Sequence, residues 1–73
     1  MLDEIWKLLD DDYKVYTESK RTRNKILKLI GKPKPTGVYT KKGKEFGWDV
    51  VFNNEYLQRI KALIKQWLEK PYQ

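Results

Sequence analysis

The sequence predicts an α+β fold, a small single domain with the element order α-β-α-β-β-α in which a three-stranded sheet or hairpin packs against helices. Three observations lead there. Phe46, Trp48, Val50 and Phe52 alternate with Glu45, Gly47, Asp49 and Val51 in a period of two, residues 54–70 repeat apolar positions at helical spacing, and Gly31, Pro33 and Pro35 interrupt the chain between a helical and an extended stretch. With 73 residues the chain has material for one core, because so short a chain buries only about 60 to 65% of its unfolded surface.

Leu2, Ile5, Trp6 and Leu9 fall at i, i+3, i+4 and i+7, so residues 1–10 read as a short acidic amphipathic helix stopped by Asp10, Asp11 and Asp12. Residues 13–52 form a basic β-α-β-β unit. Its first strand, 13–17, is rich in β-formers. Thr17 or Ser19 caps a helix that runs to Ile30 with Ile26, Leu27, Leu29 and Ile30 on its apolar side, and Gly31 with Pro33 supplies the stop. Residues 32–36 are a stiff connector, since alternating prolines remove donors and favour extended geometry. Strands at 37–40 and 45–52 flank Lys41 to Lys44, where Gly43 takes the positive φ that a hairpin needs. Asn53 or Asn54 caps a C-terminal amphipathic helix over 54–70, whose apolar side is Tyr56, Leu57, Ile60, Leu63, Ile64, Trp67 and Leu68 and which Pro71 ends. The ten aromatic residues read mainly as core, with Phe46, Trp48 and Phe52 facing the helices.

The chain has no cysteine and no histidine, and its only serine is Ser19. Disulfides, thiolate metal sites, the commonest metal ligand and the commonest general base are absent with them. The three consecutive aspartates point in different directions and lack the spaced ligands of a calcium loop. A binding protein rather than an enzyme is the expectation, with no catalytic residue, no metal and no cofactor. No apolar run approaches the ~20 residues of a membrane span, and the first residues carry acids where a secretory signal carries bases. A cytoplasmic, intracellular setting without membrane contact follows as an expectation.

Charge is distributed unevenly. Of the sixteen lysines and arginines, eleven lie in residues 14–45 beside only Glu18 and Glu45, a formal +9, whereas residues 1–13 sum to −4. A local basic field implies a polyanionic partner more strongly than net charge does. On a helical wheel Lys20, Arg21, Asn24, Lys25 and Lys28 oppose the apolar side. With Arg23, the connector residues Lys32 and Lys34, and the tip residues Lys41, Lys42 and Lys44, they form the candidate nucleic-acid-binding set: cations for phosphates, and Asn24 for a base edge. The tip reads equally as a wing along a nucleic-acid backbone or as a hairpin end kept soluble by charge. Thirteen lysines to three arginines favour affinity over base-specific readout.

Lys44, Glu45, Phe46, Gly47 and Trp48 resemble the lysine, glycine, aromatic, glycine, aromatic start of the octapeptide of RNA-recognition motifs, which implies a sheet that stacks unpaired bases. The resemblance covers five residues. Glu45 stands where that motif has glycine, and Asp49 where it has an apolar residue.

The leading expectation is a small DNA- or RNA-binding protein of the kind that compact viral or mobile-element genomes encode. An alternative is a protein-interaction module or inhibitor whose basic side engages an acidic protein surface. A homodimer formed through the N-terminal helix, by way of Trp6 and Leu9, is a third.

Overall fold

The computed structural model describes residues 3–64 and the backbone of 67–70. The strands are β1 (Asp3–Lys7), β2 (Asp12–Thr17), β3 (Gly37–Lys41), β4 (Lys44–Asn53) and β5 (Trp67–Lys70). Helix α1 (Lys20–Ile30) follows β2, and a 3-10 turn (Asn54–Tyr56) leads from β4 into α2 (Leu57–Leu63). The strands make one sheet in the order β3-β4-β2-β1-β5, antiparallel throughout except that β5 runs parallel to β1. The class is α+β as expected, while the strand count and the order differ from the expectation in two places.

The first difference is at residues 1–10. The segment expected to be helical holds a strand, and the aspartates expected to stop it form the turn of the β1–β2 hairpin. Asp10 takes φ 61°, a conformation Asp tolerates, and the Leu8 N–H bonds the Asp12 carbonyl at 2.9 Å. Four apolar positions fit a helical wheel, but Ile5 alone also fits an inward strand position, with Glu4 and Trp6 outward. Pairing decides between them, because β1 is hydrogen-bonded on both sides, to β2 and to β5. The second difference is at 54–70. Helix α2 ends at Leu63, Ile64 turns extended (φ −104°, ψ 122°), and residues 67–70 pair with 3–6 as an edge strand. The stop assigned to Pro71 lies outside the described residues.

Elsewhere local chemistry and structure agree. The Ser19 hydroxyl accepts the Thr22 N–H at 3.2 Å as N-cap of α1. Gly31 closes that helix at φ 74°, its N–H and that of Lys32 both reaching the Leu27 carbonyl. The Asn53 side chain accepts the Glu55 N–H at 3.1 Å.

Both helices pack on one face of the sheet. The row Ile5, Val15 and Val50 crosses three neighbouring strands in register, and with Phe52 it meets Ile26 and Leu27 of α1, Ile60 of α2 and Ile64 to form the core. Trp48 extends this layer and is 2% exposed. Among the described residues no helix covers the opposite face.

Candidate functional site

Two surfaces carry candidate side chains, one on each side of the sheet. The first is the outer side of α1 with the β3–β4 hairpin. Lys20, Arg21, Asn24, Lys25 and Lys28 are all exposed, and Arg21, Lys25 and Lys28 follow one another at i, i+4 and i+7, a stripe about 10 Å long at the α-helical rise. Lys32, Lys34, Lys41, Lys42 and Lys44 are exposed as well. Lys32 Nζ donates to the Val51 carbonyl at 3.1 Å, which ties the connector to the C-terminal part of β4.

Arg23 differs from its neighbours. Its guanidinium lies 4.6 Å from the centroid of the Trp48 ring, while Nε and Nη2 both donate to Asn24 Oδ1, at 3.1 and 2.8 Å. Trp48 Nε1 in turn donates to Glu45 Oε1 at 3.0 Å. Arg23, steadied by Asn24, therefore holds the first half of α1 over β4, while Lys20, Arg21, Lys25 and Lys28 are the exposed cations of the helix.

The hairpin tip is a two-residue turn in which both Lys42 (φ 52°) and Gly43 (φ 77°) lie in the left-handed region, as a type I′ turn requires. Arg23 sits over Trp48 while Lys32 meets Val51, so α1 runs along β4 with its N-terminal end toward the tip. Lys20 and Arg21 therefore lie at the same end of the sheet as Lys41, Lys42 and Lys44. The stripe thus begins at the tip's end of the sheet.

The second surface was not among the candidate sites read from the sequence. On the uncovered face Glu4, Tyr16, Asp49 and Gly37 stand opposite one another across four strands, and Trp6, Lys14 and Val51 make the next row. A groove of about 370 Å³ lies here, lined by Glu4, Trp6, Lys14, Tyr16, Glu18, Tyr39, Phe46 and Asp49. Phe46 reaches it through a bulge. Tyr39 pairs with Gly47 but Thr40 pairs with Glu45, so Phe46 is the extra residue, and the alternation that would turn it toward the helices is reset. The expectation of Phe46 as core is thus corrected: it is 42% exposed and packs beside Tyr39, ring centroids 6.3 Å apart. Tyr16 meets Tyr39 edge-on at 5.4 Å, and its ring occupies the space left by the missing side chain of Gly47.

Each tyrosine is tied to an acid. Tyr16 donates to Glu18 Oε2 at 2.6 Å and Tyr39 to Asp49 Oδ2 at 2.5 Å. Burial, and then the bond to Glu18, push the Tyr16 phenol up; the bond to Asp49, and then burial, raise that of Tyr39. Both hydroxyls stay protonated donors at neutral pH and fix the carboxylates as acceptors. The signals for this face were present in the sequence as Glu4, Trp6, Tyr16 and Tyr39, but they gather only through strand pairing.

Among the described residues no helix is long and apolar enough to cross a membrane, and no group of three or more acidic residues is placed to hold a metal ion. The fold and its two surfaces define a small α+β chain with a half-covered sheet. Comparison with protein-family models, with curated proteins and with solved structures finds no match in any of the three.

Proposed function

We propose that this chain is a small basic nucleic-acid-binding protein that grips phosphates along the outer side of α1 and at the β3–β4 tip. The observation that carries the reading is the composition of α1: its eleven residues include Lys20, Arg21, Arg23, Lys25 and Lys28 and no acid. Like charges at i, i+4 each cost a helix roughly 0.2 to 0.5 kcal/mol, and cations in the first turn oppose its dipole. A helix that carries these costs has a use for an anion. Lys42 supports the same reading, because a lysine at positive φ occupies a turn position that asparagine or glycine fills with less strain.

Arg21, Lys25 and Lys28 contact backbone phosphates, with Lys20 and the tip lysines extending the track. Contacts of this kind give affinity without sequence readout. The test is a fluorescence-anisotropy titration against duplex and single-stranded oligonucleotides over a range of salt. Binding at about 50 mM salt that falls steeply as salt rises supports the proposal. Replacing Arg21, Lys25 and Lys28 together by glutamine is expected to reduce the steepness of log K against log salt on duplex by roughly 2.7, about 0.9 for each lost phosphate contact. Undetectable or salt-insensitive binding rejects the reading, and a nuclease-resistant complex with an acidic protein puts the interaction-module alternative in its place.

A further inference from the structure

We infer that the open face of the sheet is a binding groove for an arginine side chain presented by a basic peptide segment. The inference is independent of the nucleic-acid reading, because it concerns the other side of the molecule and the opposite charge. The groove brings three carboxylates, Glu4, Glu18 and Asp49, together with four aromatic rings, Trp6, Tyr16, Tyr39 and Phe46, against the single ammonium of Lys14, a formal −2 in a chain whose total is +6. This local reversal of sign repels phosphate and attracts a cation. It is also placed where no part of the described fold covers it.

The chemistry of the walls selects the kind of cation. Aromatic faces attract a positive charge through the ring quadrupole, and the groove already does this with a residue of its own, since Lys14 Nζ lies 5.0 Å from the centroid of the Trp6 ring. Phe46 and Tyr39, each 42% exposed, present ring surface at the groove's β3–β4 side. The carboxylates of Glu18 and Asp49 each take one tyrosine hydroxyl, so they are held in place and retain lone pairs for a second donor. A planar guanidinium can lie against a ring and donate to a carboxylate at its edge at the same time, which an ammonium on a flexible stem does less well.

Three features fix the shape. Gly47 makes room for the Tyr16 ring, the bulge turns Phe46 outward, and Gly37, opposite Asp49, has no Cβ to crowd that carboxylate. None of them strengthens the core. The bulge removes a large aromatic from the helix side, where it would add to apolar burial, and leaves it partly exposed beside Tyr39.

The test uses the whole chain and three capped five-residue glycine peptides with a central arginine, lysine or citrulline. Binding is followed by the two-dimensional NMR signals of Tyr39, Phe46 and the Trp6 indole. The expected result is that the arginine peptide shifts these signals, binding roughly tenfold more tightly than the neutral, near-isosteric citrulline peptide, with lysine between them. Glu18→Gln and Phe46→Ala alter exposed side chains and keep the fold; each is expected to weaken the arginine peptide several-fold, whereas Lys25→Gln, on the far side, leaves it unchanged. Equal binding of arginine and citrulline peptides overturns the inference, as does the absence of shifts at millimolar peptide. Displacement of the peptide by a single-stranded oligonucleotide that shifts the same signals also overturns it, because the face is then a base-stacking platform.

Discussion

The ring of Tyr16 lies across Gly47 so closely that a Cβ at the glycine would stand 2.5 Å from the phenolic oxygen and 2.8 Å from Cε1. Strand propensity alone says that alanine in place of glycine should stabilise β4. The packing reverses the sign. Gly47→Ala is expected to destabilise by about 1 to 3 kcal/mol, the range for overpacking a filled site, in urea unfolding. Adding Tyr16→Ala should recover much of that loss in a double-mutant cycle, since the clash is with that one ring.

Arg23 is expected to separate from the other α1 cations in its effect. Arg23→Gln removes the guanidinium from Trp48 and should lower stability by about 1 kcal/mol. Arg21→Gln, at an exposed site, should leave stability within about 0.5 kcal/mol while reducing the salt dependence of nucleic-acid binding. Thermal unfolding and anisotropy on the two variants check the contrast.

The tip offers a trade between stability and charge. Lys42→Asn keeps the left-handed turn in a residue that tolerates it and should stabilise by a few tenths to about 1 kcal/mol, while oligonucleotide affinity falls. Gly43→Ala, at φ 77°, should destabilise by about 1 kcal/mol with no loss of charge.

The phenols of Tyr16 and Tyr39 make the fold sensitive to alkali. Both hold their protons more tightly folded than unfolded. The stability linked to them is present in full below the ordinary value of 10.0 and is lost as pH rises from there toward the folded values. Denaturant midpoints taken from pH 8 upward should decline above pH 10, and more shallowly in a Tyr16→Phe/Tyr39→Phe variant. Tyr39→Phe also removes the donor to Asp49, a residue 8% exposed, and should cost about 1 to 3 kcal/mol at neutral pH.

The elements legible in the sequence were those whose signals act over a few residues. Ser19 and Gly31 bound α1 because a hydroxyl cap and a left-handed glycine act within one turn. Trp48, Val50 and Phe52 face the helices because a strand's period of two is set by its own backbone. The basic set on α1 and at the tip, apart from the half-buried Arg23, is exposed as its positions on helix and turn imply. The open groove was not legible, since Glu4, Tyr16 and Asp49 come from three strands and meet only through register.

By itself the sequence determined the elements in the middle of this protein, from β2 through β4, though not the side on which Phe46 lies, and the segregation of its charge. Tertiary structure decided the ends and the second surface. Asp3 pairs with Trp67, nearly the full length of the chain away, and that pairing makes strands of two segments whose apolar spacing also suits helices, because backbone hydrogen bonds to a neighbouring strand outweigh a short helix's weak local preference. A bulge of one residue then sends Phe46 to the face opposite Trp48. Periodicity cannot foresee that reset, since it arises from how β4 meets β3.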